Sequence, residues 1–191
     1  MWHSLDVQGL KAEPWLVSLD RATGRERWRA VLPAYSGGVI VDGSPAVAGD
    51  LIILATAGGH AWAVDRRTHQ VAWHFRPATQ HATTTQAEVF DGLVFHDGGD
   101  GYVYARRAAD GAEVWRAASA QVTVDLLVTA TRVYAIAGGT LQVLDRRTGR
   151  LVASVDEPPG STLGAISSPA AFADGAVFVT VSNGAWSFTE P

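Results

Sequence analysis

The run HDGGDG, at residues 96–101, is the stretch whose side chains are best suited to hold a metal ion. It places His96, Asp97 and Asp100 close together, and calcium prefers several oxygen ligands around a glycine-assisted turn. The run nevertheless lacks the D-x-D-x-D-G order of calcium-binding loops. Glycines combined with acceptor side chains are also typical of a tight hairpin turn. We favour the turn, and the sequence therefore predicts no metal site.

The other residues that could do chemistry form no recognisable pattern. The six histidines are scattered, and no pair of them has the zincin spacing. A Ser-His-Asp set can be assembled from almost any sequence, and it has no meaning without geometry. Glycine runs such as GGDG do not have the order of a phosphate-binding loop and do not open a helix. The sequence therefore predicts no catalytic residue and no nucleotide site.

The composition is that of a folded chain without a strong charge bias. Apolar residues make up 47% and charged residues 18% of the 191 residues, and the net charge of −4 gives no general attraction to nucleic acid or anionic lipid. There are no cysteines, which excludes disulfides and thiolate metal sites. No stretch approaches the ~18 consecutive apolar residues of a membrane helix. The first residues lack the basic and apolar regions of a secretory signal, so we expect no signal peptide in this chain.

The chain repeats itself at intervals of roughly 40 residues, which is typical of repeat architectures. One phrase occurs four times, as LDRATGRERW from Leu19, VDRRTHQVAW from Val64, RRAADGAEVW from Arg106 and LDRRTGRLVA from Leu144. A second phrase precedes the later copies, for example AEVFDGLVFHDGGDGYVYAR, and returns near the end as SPAAFADGAVFVTVSNGAWSFT. Each unit predicts four short β-strands, because runs such as LIILA and RVYAIA are β-branched or aromatic and bounded by Gly, Asp or Asn.

The conserved spacing inside the repeated phrase has a structural explanation. The aspartate can accept a backbone N–H two residues further on and so begin a turn, and the glycine supplies a positive φ. The tryptophan falls on the fourth strand, where its ring can fill the space between one sheet and the next. The pattern lapses where His69 replaces the glycine, Arg107 the aspartate and Ala153 the tryptophan. The signature residues are Asp20, Gly24, Trp28, Asp65, Thr68, Trp73, Gly111, Trp115, Asp145 and Gly149.

The phrase Asp-x-x-Thr-Gly-x-x-x-Trp resembles the repeat of the pyrroloquinoline-quinone-like (PQQ-like) β-propeller family. The resemblance implies an all-β propeller of four-stranded antiparallel blades, with about 4 to 4.5 blades in one domain over residues 1–191. The repeats would occupy approximately residues 15–32, 43–75, 86–117, 125–155 and 166–190. The chain would then hold a third–fourth strand pair, three full blades and the first three strands of another.

A ring built from these 17 expected strands is incomplete, and three solutions are open. The chain can close on itself with one strand redundant, two copies can share a larger ring, or a separate half-propeller can complete it. We favour association with another copy or half, since open sheet edges are templates for pairing.

The resemblance also implies which functions to expect. Quinoprotein dehydrogenases of this family hold their quinone beneath a disulfide of adjacent cysteines and use a calcium carboxylate and a catalytic aspartate, and no position here can be assigned to those roles. We therefore expect no PQQ, calcium or other cofactor, and no enzyme. The favoured hypothesis is a non-catalytic binding or scaffold module for a protein or peptide, similar to the propeller lipoproteins of outer-membrane protein assembly and located in the periplasm or otherwise outside the cytoplasmic membrane. The alternative is a fragment of a quinone- or metal-dependent oxidoreductase.

One side of the expected propeller carries long connections between blades and the HDGGDG-type hairpins. Variable loops on a rigid scaffold are the usual place for recognition, although exposed polar loops without a ligand would have the same composition. The predicted ligand-facing residues are Tyr35, Arg76, His81, Thr83, Thr84, Asp97 and Asp100.

Overall fold

The computed structural model describes residues 15–32, 44–56, 58–79, 86–119, 123–137, 140–156, 171–181 and 184–189. Within these ranges every regular element is a β-strand, and no helix there has the length and apolar character needed to cross a membrane. The strands form five antiparallel sheets, numbered here as blades 1 to 5 in chain order. Blade 1 contains β1 (Trp15–Leu19) and β2 (Glu26–Val31).

Blades 2, 3 and 4 each contain four strands hydrogen-bonded in chain order, and blade 5 contains three. The strands of blade 2 are β3 (Ala46–Ala48), β4 (Leu51–Ala55), β5 (Ala61–Asp65) and β6 (Val71–Phe75). Blade 3 comprises β7 (Glu88–Phe90), β8 (Leu93–Asp97), β9 (Tyr102–Arg107) and β10 (Glu113–Ala118). Blade 4 comprises β11 (Thr123–Val128), β12 (Arg132–Ala137), β13 (Thr140–Asp145) and β14 (Leu151–Asp156). Blade 5 comprises β15 (Ala171–Ala173), β16 (Ala176–Val181) and β17 (Gly184–Thr189).

This arrangement confirms the predicted all-β class and the expected sequence of a strand pair, three complete blades and three further strands. The blades pack face to face, because alternate residues of each strand point to opposite sides of the sheet. Leu54 and Trp62 of blade 2 pack with Leu16 of blade 1, whereas the adjacent residues Ile53 and Ala63 pack with blade 3. Among the first strands of the blades, β7 lies next to both β3 and β11. Each internal interface is therefore a layer of apolar side chains between two sheets.

The repeated turn forms as the sequence predicts. The Asp20 carboxylate accepts hydrogen bonds from the backbone N–H groups of Ala22, at 3.1 Å, and Thr23, at 2.9 Å. The hydroxyl of Thr23 also donates to that carboxylate, at 2.9 Å. These bonds stabilise the ionised carboxyl, so the pKa of Asp20 lies below its ordinary value. Asp65 and Asp145 make the same backbone contacts, with N–H groups two and three residues further on.

The tryptophan of each fourth strand reaches the turn of the next blade. The indole N–H of Trp73 donates to the carbonyl of Ala108 at 2.8 Å, and that of Trp115 donates to Arg146 at 2.9 Å. Each ring then lies on the turn glycine: a Cβ added to Gly111 would be 2.7 Å from the Trp73 ring. The turn glycine thus has two functions, a positive φ and room for the preceding blade's indole.

The lapse of the glycine pattern at His69 has a physical explanation. His69 adopts a φ of 61°, the left-handed conformation that the turn requires. Its imidazole stacks on Trp28 of blade 1 with ring centroids 4.6 Å apart and planes inclined by 15°. The side chain therefore compensates for backbone strain with a ring contact to the same tryptophan position that elsewhere covers a glycine.

We expect Trp73→Ala to lower the free energy of unfolding by about 3–5 kcal/mol, because it leaves a cavity between two blades and removes an indole hydrogen bond. Ala153→Gly, at the corresponding position of blade 4, should have a much smaller effect. Urea denaturation midpoints of both variants test this, and equal shifts would show that the fourth-strand residues do not fill the interfaces.

The two functions of the turn glycine can be separated with Gly24 and Gly111, whose φ angles are 69° and 72°. An added Cβ meets nothing within 4 Å at Gly24 but the Trp73 ring at Gly111. Gly24→Ala should cost roughly the 1–2 kcal/mol of the left-handed conformation, and Gly111→Ala a further 1–3 kcal/mol of overpacking. Identical denaturation midpoints would contradict the contact role of Gly111.

Candidate functional site

The hairpins between the second and third strands emerge on one side of the blades, here called the hairpin face. Phe75, the last residue of β6, pairs with Ala61, so the connection that follows β6 leaves on the same side. The hairpins of blades 2 and 3 touch, since a Cβ added to Gly59 would lie 1.8 Å from the carbonyl oxygen of Gly98. Both positions therefore exclude a side chain, and the two hairpins form a continuous surface.

Three of the predicted ligand-facing residues lie on this face in the described part of the chain. Arg76 is exposed directly after β6. Asp97 is buried, and its carboxylate accepts the backbone N–H of Gly99. Asp100 accepts a hydrogen bond from the hydroxyl of Tyr104 at 2.7 Å. Tyr35, His81, Thr83 and Thr84 lie outside the described residues, so the ligand-binding role of the set stays a prediction.

A stack of three rings lies between blades 1 and 2, close to the hairpin face. The ring of His74 lies on Trp62 with centroids 3.5 Å apart and planes inclined by 6°. His60 Nδ1 and His74 Nε2 are 2.8 Å apart, a hydrogen bond that requires one nitrogen to carry the proton and the other to accept it. His60 is buried, whereas His74 is exposed on one side of the stack. Loss of hydration is the largest factor that lowers the pKa of each, that of His60 to about 4, and the charge of Arg76 adds to it. The pair is therefore neutral near pH 7.

A second cluster lies between blades 2 and 3 and includes the histidine of HDGGDG. The ring of His96 stacks on Tyr104 at 5.4 Å, and Phe75 of the neighbouring blade contacts both rings. The Arg106 guanidinium lies 3.7 Å from the centroid of the Phe75 ring and donates to the carbonyl of Gly111 at 3.0 Å. Burial and the hydrogen bond to Asp100 raise the pKa of Tyr104 to about 12, so its phenol stays protonated.

His96 is the most unusual member of this cluster. It is completely buried, and its Nδ1 donates to the carbonyl of Asp97 at 3.0 Å, which leaves Nε2 as an acceptor with no partner in the described residues. Burial lowers the pKa of His96 to about 3. The strand register gives Leu54, Ala135 and Val179 at the corresponding positions of the other blades. Blade 3 thus has an ionisable residue where the other three blades are apolar.

The side opposite the hairpin face carries an open groove of about 610 Å³ between blades 2 and 3. The groove is lined almost entirely by apolar side chains and glycines, and Val47 at its edge is 60% exposed. Its one carboxylate, Asp50, pairs with Arg66 at 2.9 Å and with Arg67 at 3.5 Å. The groove residues are Val47, Ala48, Gly49, Asp50, Leu51, Val89, Gly92, Ala108 and Ala109.

These arrangements offer little for catalysis. No group of three or more His, Asp or Glu side chains in the described ranges is placed to hold a metal ion. The histidine pair is neutral, and its ring partner Trp62 has no nucleophilic group. Glu88 on the first strand of blade 3 has a pKa raised by burial and by the nearby charge of Asp125. An apolar groove and a set of buried ring contacts are suited to binding and to rigidity.

The sequence reasoning missed both buried clusters and the groove. For Arg106 a signal was present, because the repeat register aligns it with Leu19, Val64 and Leu144. A charged residue at a repeated apolar position marks a polar interface. The contact between His60 and His74 has no comparable signal, since the two residues meet only when β5 pairs with β6.

The fold and these interfaces are those of a PQQ-like β-propeller, and the comparisons with known proteins agree. The family model described as outer membrane protein assembly factor BamB matches twice, over residues 10–117 and 79–186. The chain therefore belongs to this family, as the repeat predicts. A search of curated protein sequences found no significant match.

Solved structures with the same fold include BamB, a computationally designed protein and an enzyme. BamB from Moraxella catarrhalis superimposes with a TM-score of 0.65 and 20% identity, over 87% of this chain and 54% of that one. The computationally designed Ika4 protein superimposes with a TM-score of 0.63 and 17% identity, over 83% of this chain and 94% of that one. The quinohemoprotein alcohol dehydrogenase from Comamonas testosteroni superimposes with a TM-score of 0.62 and 17% identity, over 77% of this chain and 29% of that one. At these identities the likeness shows the fold alone, and the chain spans about half of the BamB structure.

Stability should fall on acidification because of the buried histidines. Their pKa is lower in the folded than in the unfolded chain, so unfolding takes up protons and the stabilisation present above pH 6.5 is lost as pH falls towards 3. When the pH falls from 7.5 to 5, the free energy of unfolding should decrease in both proteins, and the decrease should be about 2 kcal/mol smaller in His96→Leu than in the wild type.

Urea titrations at the two pH values measure this difference, and pH 5 stays above the ordinary pKa of the carboxylates. His69→Asn, which alters a histidine outside both clusters, serves as the control. Equal pH dependence in the wild type and His96→Leu would contradict burial of a neutral His96.

Proposed function

We propose that this protein is a non-catalytic propeller module that binds an extended, largely uncharged segment of a partner protein. The observation that carries the proposal is the apolar groove between blades 2 and 3. Membership of the BamB-like family supports a protein partner in outer-membrane protein assembly and a location outside the cytoplasmic membrane. The same proposal holds that the protein binds no cofactor, no metal ion and no nucleic acid.

The groove has the properties that recognition of a peptide requires. Its lining comes from turns and strand ends that two packed sheets already hold in place. A ligand therefore meets a preformed surface, and the protein loses little conformational entropy on binding. Val47, at 60% exposure, is an apolar side chain that a ligand would remove from water. Arg66 and Arg67 both pair with Asp50, so the rim holds two guanidinium groups against one carboxylate, a net charge of one positive unit.

The strand order suggests how the peptide backbone is held. β3 and β7 are the edge strands of their sheets and lie at the groove. An extended segment can add backbone hydrogen bonds to such an edge while its alternate side chains enter the apolar groove. This mode of binding tolerates many sequences, which suits a scaffold that handles several partners.

Binding can be tested with fluorescently labelled ten-residue peptides of alternating apolar and polar residues, followed by anisotropy. Val47→Asp should weaken binding of the peptides at least tenfold, because it introduces a carboxylate into the groove. Val114→Asp is the matched control: Val114 is exposed to 49% but lies on β10, away from the groove. Equal binding by the two variants would overturn the groove as the binding site, and no binding by the wild type would overturn the proposed function.

A quinone-dependent oxidoreductase is the second candidate, favoured by the structural likeness to the quinohemoprotein alcohol dehydrogenase. Incubation with PQQ and calcium distinguishes the two. We expect neither a rise in melting temperature nor quinone absorbance that stays with the protein after gel filtration. If both are observed, the non-catalytic hypothesis fails.

A further inference from the structure

The outward face of blade 1 is built like an internal blade interface, but no sheet of the described residues packs on it. Leu19 occupies the repeat position of Val64 and Leu144. Those two residues are 0% and 1% exposed because the preceding blade covers them, whereas Leu19 is 57% exposed. Trp15 and Val31 are also exposed on this sheet. Gly24 shows the same difference. A Cβ added to Gly24 would meet no atom within 4 Å, whereas one added to Gly111 or Gly149 would meet an indole ring.

Blade 5 has the opposite face uncovered. The strand register places Phe178 at the position of Ile53 and Phe95, the residues through which blades 2 and 3 pack on their following blades. Ile53 and Phe95 are completely buried, but Phe178 is 44% exposed. Val177 and Val179, which point the other way, are buried against blade 4. The fifth sheet is therefore packed on one side only.

We propose that these two faces bind each other between two copies of the chain, with blade 5 of each copy packed on blade 1 of its partner. The contact is heterologous, and a rotation of about 180° between the copies closes it into a symmetric dimer with two equal interfaces. This inference is independent of what the groove binds.

Three observations favour a second copy. The two faces are complementary in the way that two neighbouring blades are. Blade 1 exposes the face on which a preceding blade packs elsewhere in the chain, and blade 5 exposes the face on which a following blade packs. The chain spans 54% of the BamB structure, so two copies supply a ring of similar size. Closure of one chain on itself would bury Phe178 and Leu19 as their repeat equivalents are buried, and both are exposed in the single chain.

The experiment is native mass spectrometry and light scattering over a tenfold range of concentration, on the full chain and on variants of both faces. Phe178→Asp and Leu19→Asp should each convert the dimer to a monomer of 20.2 kDa, because either places a carboxylate in both interfaces. Phe172→Asp is the matched control. Phe172 is an equally exposed phenylalanine of the same blade, but it pairs with Val177 and therefore lies on the other face of the sheet.

The proposal is supported if the wild type and Phe172→Asp have twice the mass of one chain while the other two variants are monomers. A wild-type monomer over the whole range overturns it and indicates closure within one chain or by a different polypeptide. A dimer or larger species whose mass is unchanged in both Phe178→Asp and Leu19→Asp also overturns it. Circular dichroism spectra identical to that of the wild type show that a loss of mass is not a loss of folding.

Discussion

The contact between a fourth-strand tryptophan and the turn of the following blade is the interaction on which the architecture depends. The indole fills the gap between two sheets and donates a hydrogen bond to a turn carbonyl, as Trp73 does to Ala108. The turn must then present a surface without a Cβ, in a backbone conformation that glycine adopts without strain. This residue pair sets the spacing and the turn geometry between blades 2 and 3 and between blades 3 and 4. His69 takes the place of the glycine between blades 1 and 2, and Ala153 takes the place of the tryptophan in blade 4.

The same constraint explains where the protein can vary. Because the sheets are held by their apolar layers and by the tryptophan contact, some buried positions between blades can carry other residues. Blade 3 uses this freedom most, with buried His96, Tyr104 and Arg106 stacked against Phe75. Such a ring stack satisfies packing but leaves His96 Nε2 without a partner in the described residues. The interface is specific in shape and sensitive to protonation.

The balance of these features supports the proposal that the protein binds a partner rather than catalyses a reaction. The two ring clusters near the hairpin face contain neutral histidines, a protonated phenol and an arginine that lies on the Phe75 ring. The carboxylates of Asp97 and Asp100 on this face accept hydrogen bonds from the backbone of Gly99 and the hydroxyl of Tyr104. The groove on the opposite side is apolar and open, and its carboxylate is paired. A rigid, nearly neutral surface of this kind can hold a peptide segment without the precise placement of charges that a reaction needs.

The sequence by itself determined the strand order, the turn chemistry and the blade count, because each depends on local periodicity and on residues a few positions apart. The sequence also holds a signal for Arg106, at a repeat position that is otherwise apolar, but this signal was missed. Only the tertiary structure decided that His60 meets His74, that Asp97 turns inward, that blades 2 and 3 leave a groove, and that Leu19 and Phe178 stay uncovered. These features arise from contacts between sheets, where residues far apart in sequence meet, and sequence spacing carries no information about such distances.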